Sequence, residues 1–536
     1  SSAASDVYKR QRLYLQGDLP THYKSLSNSA MDLLDKISSL NPKRIDWKVE
    51  NIQLNTKDSA RFYVYDSLMK LGLPIERIQT NIDKSAKRSE QLIMPGILVF
   101  QEGKEPIAID IRSAKKYFKP YNVVQDVPVE DVEATFNAAA SDLEFKLVHA
   151  LYLLSRKTIP TIGYVVGNGE PIDYSVNDIG QLIRHQYDVK IVPLQNVFPD
   201  PKIINTLLIV KPKTPFSALD KLKLDQYVMK GGNIIWAIDK LYAESDSLKA
   251  ANGSYVAYNR GLQLDDLLFK YGVRINDDIV QDLQCAKLPV VMGTSEDGQP
   301  NIQRMPWPYY PFAMGNNQHV ITKNIDRIVT QYPSSVDTIS VKGIQKTILL
   351  STDTNSRIVK TPALIALGSG MEAGEWSTFS KHHIPLAVLL EGKFTSLFQN
   401  NISGALSDSI QKHTSEHFIA KATRTSRQIV ISDANLLTNE IDKSSGPLPM
   451  GVLLYEQYPF ANASFYTNAI GFLTEPANLM ESRNKMYILR VLDKAKVESQ
   501  IRFWQFIFVG LPLLILIFSY FTWNSIRKNV YSSYES

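Results

Sequence analysis

The chain is nearly devoid of cysteine: Cys285 stands alone among 536 residues. That excludes an internal disulfide framework and any cysteine-based zinc site. It leaves the compartment open, because many exported domains also lack disulfides. Blocks of like charge are missing too. The formal net charge of +5 is dispersed, so there is no electrostatic footprint for nucleic acid. The motifs GxxxxGK[ST], GxSxG, GxGxxG and HExxH do not occur. With them go P-loop nucleotide hydrolysis, the α/β-hydrolase elbow, the dinucleotide fingerprint and the zincin helix. The opening residues SSAASDVYKRQ contain no apolar stretch and do not read as a signal peptide. They abut Arg12-Leu13-Tyr14-Leu15, which reads as a strand with its start removed. Residues 1–11 are therefore expected to be a foreign or disordered leader, with a native N-terminal segment missing.

What the chain does have is one long apolar run. Phe503 to Trp523 holds 21 residues without a charge, thirteen of them Leu, Ile, Phe or Val. At about 1.5 Å per helical residue this spans roughly 31 Å, the thickness of a bilayer's hydrocarbon core. At roughly −0.3 to −0.6 kcal/mol each, the thirteen favour insertion by about −4 to −8 kcal/mol, less a penalty for Pro512 and Gln505. Trp504, Tyr520 and Trp523 sit near the ends, and Arg502 and Arg527-Lys528 close the segment off. Core helices rarely run so long without a charge. The reading is a transmembrane helix over 503–523, fed by a juxtamembrane helix over 476–502 (Leu479, Met486, Leu489, Leu492) and followed by a tail, 524–536. Orientation is contested. Arg527 and Lys528 suggest a cytoplasmic tail, yet Arg483, Lys485, Arg490, Lys494, Lys496 and Arg502 precede the span.

The residues ahead of that run are ordinary globular material, 44% apolar and 21% charged, enough for two or three cores. Residues 12–145 read as a small α/β domain. Helices are expected near 26–37, 60–71 and 143–154, strands at 13–15 and 45–49, and a hairpin at 97–100 and 107–111. From 146 to 475 the pattern is β-α-β-β-α-β: strands at 162–166, 190–194, 205–210 and 233–238, helices at 176–187 and 217–230. The helix over 217–230 is closed by Gly231-Gly232. Apolar strands at 384–390 and 428–432 should join the same sheet. This rhythm predicts a doubly wound, mainly parallel sheet of Rossmann or glutamine-amidotransferase type. A Pro-, Gly- and Ser-rich stretch, about 285–380, reads as an irregular insertion.

In open α/β sheets, ligands bind beyond the carboxyl ends of the strands. Three such ends carry polar groups: Gly167-Asn168-Gly169-Glu170, Asp239 and Asp433. Glycines would let backbone N–H groups approach a ligand and carboxylates would fix it, although the same residues also build turns and helix caps. In Pro306-Trp307-Pro308-Tyr309-Tyr310-Pro311, three prolines enforce an extended chain. Trp307, Tyr309 and Tyr310 must then either pack down or meet a protein or sugar partner. Cys285 lacks a helix-opening glycine turn and reads as a structural thiol. His413 and His417, one turn apart, and the pair His382-His383 read as solvated residues rather than metal ligands. No catalytic, cofactor or metal site emerges.

Seven blocks in order carry a family resemblance: YLQGDLP at 14–20, GNGE at 167–170, DQYVMKGG at 225–232, LDDLLFKYGVR at 264–274, VQDLQC at 280–285, PWPYYP at 306–311 and LLEG at 389–392. The chain resembles, from Leu13 to about Leu516, the gliding-motility-associated ABC-transporter auxiliary proteins of GldG type from Bacteroidetes-like bacteria. Asn168 stands where many relatives carry histidine, and Asp433-Ala434-Asn435 where Asp-Gly-Asp is common. The resemblance implies a non-catalytic, substrate-binding accessory subunit working with a separate permease and a separate ATPase. It also implies a helix at each end of a periplasmic body, anchored in the bacterial inner membrane. The rival readings are a structural tether of an envelope or motility complex, and a membrane-bound hydrolase suggested only by the sheet.

Overall fold

A computed structural model describes residues 9–17, 19–52, 58–81, 88–113, 116–117, 130–184, 186–244, 253–294, 300–366, 373–400, 402–414, 417–456, 458–475, 479, 503 and 505–532. The N-terminal unit begins with β1 (Lys9–Leu13), α1 (Thr21–Leu40), β2 (Ile45–Val49) and α2 (Asp58–Lys70). The hairpin of β3 (Glu76–Asn81) and β4 (Arg88–Ile93) follows, then β5 (Gly96–Gln101) and β6 (Ile107–Asp110). One sheet runs β2-β1-β5-β6, with β1 parallel to β2 and antiparallel to β5. The pleat decides what covers it. Ile97 and Val99 face Leu26, Ala30 and Leu34 of α1, while Leu98 faces Leu68 and Met94 on the other side. The first strand lies earlier than the sequence suggests. Lys9, Arg10 and Gln11 of the expected leader pair with both β2 and β5, so neighbours rather than composition make them a strand. Residues 1–8 lie outside the described residues.

α3 (Val132–Ser155), whose Asp131 cap accepts the Ala134 N–H, starts well before the expected 143 and leads into the body. There follow β7 (Thr161–Val166), α4 (Asn177–Gln181), β8 (Asp188–Pro193), β9 (Thr206–Val210), α5 (Ala218–Met229) and β10 (Asn233–Ala237). Ser217 and Asp220 form a capping box at the start of α5. The chain continues through β11 (Leu241–Tyr242), β12 (Ser254–Asn259), α6 (Asp265–Tyr271), β13 (Val273–Ile275), β14 (Asp278–Asp282), β15 (Cys285–Thr294) and β16 (Pro300–Gly315). Next come β17 (Ile328–Val329), β18 (Val336–Thr338), β19 (Ile344–Ser351), β20 (Ser356–Lys360) and β21 (Ala363–Ala366). β22 (Pro385–Gly392), α7 (Gly404–Thr414), β23 (Ser426–Ile431) and α8 (Asn462–Thr474) complete the body.

The large sheet runs β15-β16-β19-β22-β23-β10-β9-β7-β8, with β17 on β16. From β23 to β8 the neighbours are parallel, and from β15 to β23 they are antiparallel. The protein is mixed α/β with a large mixed sheet, and the mainly parallel pairing expected of it holds for one half. Within 285–380, expected as an irregular insertion, β16 and β19 extend the large sheet by pairing with each other and, through β19, with β22. The central strands are apolar on both faces because both are covered. Leu207, Ile209 and Trp236 pack beneath Tyr227 and Val228 of α5. Leu208, Val210 and Ile235 pack beneath Phe465, Tyr466 and Ile470 of α8.

At the C-terminal end, a π-helical turn (Phe506–Gly510) runs into α9 (Leu511–Ser532). Pro512 offers no N–H to the preceding turn, and the wider turn accommodates that loss. Phe506–Lys528 is long and apolar enough to cross a membrane, and none of it is buried against the body. The expected juxtamembrane helix over 476–502 lies outside the described residues, Leu479 apart. The first part of the expected tail, to Ser532, continues α9.

Candidate functional site

Parallel strands deliver their carboxyl ends to one edge of a sheet, and the loops there converge. After β7, Gly167 and Gly169 adopt φ of +134° and +82°, and the turn closes on itself. The Asn168 N–H donates to Glu170 Oε2 at 2.7 Å, and Asn168 O accepts the N–H groups of Lys213 and Thr214 at 2.8 and 2.9 Å. A Cβ on Gly169 would stand 3.0 Å from that of Lys213, so glycine permits the close approach. Asn168 and Glu170 are buried, and burial pushes the Glu170 carboxyl above its ordinary range. The four residues clasp the segment after β9.

Asp239 and Asp433 do come together, because β10 and β23 pair in parallel and end side by side. Asp239 Oδ1 accepts the Ala434 N–H at 2.6 Å. Asp433 accepts the Gln331 N–H at 2.7 Å and the Asn435 N–H at 2.9 Å. Burial first, and the neighbouring Asp239 second, hold the Asp433 carboxyl well above the carboxylate range. From the end of β9, Lys211 Nζ donates to Asn435 Oδ1 at 2.7 Å and stands 3.7 Å from Asp239 Oδ2. That Asp239 oxygen is buried and accepts no hydrogen bond. Lys211 adopts a φ of +53°, a left-handed conformation that costs a residue with a side chain about 1 kcal/mol.

Beside Lys211 opens a cavity of about 420 Å³, a volume typical of small-molecule sites. Its polar wall comes from Asn435, Asn439 and Glu440 after β23 and from Gln331 between β17 and β18. Gln331 Nε2 donates to Glu440 Oε1 at 2.7 Å, and the Leu454 N–H donates to Glu440 Oε2 at 2.6 Å. Tyr310 and Tyr332 supply ring surface; Tyr332 has a φ of +54°, and burial pushes its phenol up to about 12. Lys211, Gln331, Tyr332 and Asn435 escaped the sequence reading. The available signal was a lysine at the carboxyl end of an apolar strand, in Val210-Lys211-Pro212.

The aromatic run faces inward rather than toward a partner. The β15–β16 register passes from Lys287↔Pro306 to Cys285↔Pro311, leaving residues 307–310 bulged opposite Ala286. Pro306, Pro308 and Pro311 have no N–H for the ladder, so pairing breaks there. Trp307, Tyr309 and Tyr310 are 0%, 3% and 3% exposed. Tyr309 and Tyr310 pack on Tyr332 with ring centroids 5.8 and 5.3 Å apart. Of the three, Tyr310 alone lines the cavity. Burial pushes the Cys285 thiol up to about 12, against the thiolate a nucleophile needs. His413 Nδ1 donates to Ser409 O at 2.8 Å and its ring stacks on Phe198. His382 and His383 contact the carbonyls of Thr354 and Thr352. Among the described residues no group of three His, Cys, Asp or Glu could hold a metal ion.

Residues 159–469, more than half of the chain, match the family described as an ABC-type uncharacterized transport system. Residues 10–100 match a domain of unknown function (DUF7088). No curated protein matches the chain. Among solved structures, the mmIFT52 N-terminal domain is similar at 12% identity, covering 59% of this chain and 98% of that one, with a TM-score of 0.33. The exo-beta-1,4-mannosidase Op5Man5 from Opitutaceae bacterium strain TAV5 is 11% identical over 64% of this chain and 38% of that one, with a TM-score of 0.21. Likenesses at those scores carry no argument about activity.

Proposed function

We propose, since this chain belongs to the ABC-type uncharacterized transport system family of auxiliary proteins, that it is a membrane-anchored, non-catalytic accessory subunit of such a transporter. A permease and an ATPase on separate chains would supply the path and the energy, for this chain has no phosphate-cradling loop of its own. The observation that carries the reading is the uncovered apolar helix. Phe506–Lys528 has no side of its apolar surface buried against the body. In water such a surface would drive aggregation, whereas in lipid its length matches the hydrocarbon core and its side chains need no protein partner.

The anchor would lie in the bacterial inner membrane with the body in the periplasm. The body would bind a small molecule at the carboxyl ends of its parallel strands, where the cavity beside Lys211 offers both polar and ring surface. Gliding motility is the process suggested by the resemblance to GldG-type proteins. Affinity capture of the full chain after mild detergent extraction is expected to bring down a permease and an ATPase together. Recovery of the intact chain with neither, under conditions that keep the transporter assembled, would reject the accessory role. Protease added to spheroplasts is expected to digest the body; full protection would reverse the orientation.

A further inference from the structure

We propose that the cavity beside Lys211 is an organic-anion site: it takes a small molecule bearing a carboxylate or phosphate group, with that group on Lys211 and Asn435 and the rest of the molecule against Tyr310 and the apolar wall. This deepens the ligand-binding part of the proposed function and rests on it, but it is independent of which proteins assemble with the chain.

The argument is a count of donors and acceptors. A lysine side chain has three N–H donors. Lys211 uses one on Asn435 Oδ1 at 2.7 Å; Asp239 Oδ2, at 3.7 Å, is an ion-pair partner beyond hydrogen-bond reach. The Lys211 side chain is 17% exposed and lines the cavity, so its remaining donors have open space beside them. Asn435 commits its oxygen to Lys211, which leaves its Nδ2 to donate. Exposed Lys287, also in the lining, adds a second cation, and among the described residues no carboxylate pairs with its Nζ.

The carboxylates of Glu440 and Asp433 are already engaged. Each oxygen of Glu440 already takes a hydrogen bond, from Gln331 Nε2 and from the Leu454 N–H. Asp433 is sealed beneath, bound to two backbone N–H groups. A ligand entering here meets Lys211, Lys287 and Asn435 as donors, and Leu288, Val329, Leu453 and Tyr310 as apolar and ring surface. Backbone strain points to the same place. Of the five non-glycine residues with positive φ among the described residues, Lys211 and Tyr332 both line this cavity. Strain of this kind persists where the surroundings hold a side chain for use. At about 420 Å³ the space suits a molecule of small-metabolite size.

The test uses the full chain in mild detergent, with phenyl phosphate and benzoate as probes and benzyl alcohol as the neutral control. Calorimetric titration and thermal unfolding are expected to show saturable binding of at least one anion and weaker binding of the alcohol. Tighter binding of phenyl phosphate assigns a phosphate ester, and tighter binding of benzoate assigns a carboxylate. Lys211→Met is expected to weaken the anion by about tenfold or more, as loss of a charge-assisted bond does. Lys287→Gln, on the exposed rim, should weaken it by roughly threefold with an unchanged unfolding midpoint in the absence of ligand. If Lys211→Met does not fold, Lys287→Gln decides. No saturable binding of either anion, equal binding of benzyl alcohol, or undiminished affinity in Lys287→Gln would overturn the proposal. Permease and ATPase capture is scored separately: intact capture without anion binding leaves the accessory role standing and removes only the site.

Discussion

Asp433 lies with Asp239 and Lys211 where three strand ends meet, and its carboxyl is held above its ordinary range by burial first and Asp239 second. In the unfolded chain an aspartate ionises near about 3.9. Between that value and the higher folded one, the folded protein binds more protons, so the stability contributed is full below the unfolded value and is lost as pH rises through the folded one. Asp433→Asn has no proton to lose. Its unfolding free energy is expected to fall less than the parent's between about pH 5 and pH 8 in denaturant titrations; parallel declines would mean that Asp433 is ionised when folded. The acids at 239 and 433 were legible because an apolar run ending in Asp marks a strand's carboxyl end. Their meeting was not, and neither was Lys211, whose partner Asn435 is 224 residues away.

The helix α5 shows what local chemistry alone specifies. Its capping box and the Gly231-Gly232 stop lie within the segment itself, and the observed Ala218–Met229 falls inside the expected 217–230. Gly231 takes a φ of +91°, and a Cβ on Gly232 would stand 2.3 Å from the Tyr227 ring. That ring is fully buried, with its hydroxyl on Ile204 O at 2.9 Å, so it cannot swing away. Gly232→Ala is expected to cost about 1–3 kcal/mol, read from the urea midpoint at constant slope. The join between α3 and α8 depends on distant partners instead. His149 Nε2 and the Tyr187 hydroxyl both donate to Glu475 Oε1, at 2.7 and 2.6 Å. Glu475→Ala strands both donors and is expected to lower stability by about 2–4 kcal/mol. A loss below about 0.5 kcal/mol would show that water replaces the carboxylate there. The prolines of β16 misled the sequence reading for a related reason: they forbid a regular ladder, but a bulge satisfies them within a strand.

For the whole molecule, the decisive division is between body and apolar helix. The full chain is expected to sediment with membranes, while a chain stopped at Arg502 should stay in the supernatant after ultracentrifugation and keep the thermal unfolding midpoint of the body. A full chain that remains in the supernatant would remove the anchor. The sequence by itself determined that helix, because length and absence of charge are properties of a single segment. It also determined most strands of the parallel half, whose apolar residues on both faces announce a sheet covered on both sides. Only the tertiary structure decided that half of the sheet runs antiparallel, that the aromatic run packs inward, and that Lys211, Gln331, Tyr332 and Asn435 surround one cavity. Strand direction, burial and side-chain convergence are set by contacts between residues far apart in the chain, and no local pattern encodes which distant segment will arrive.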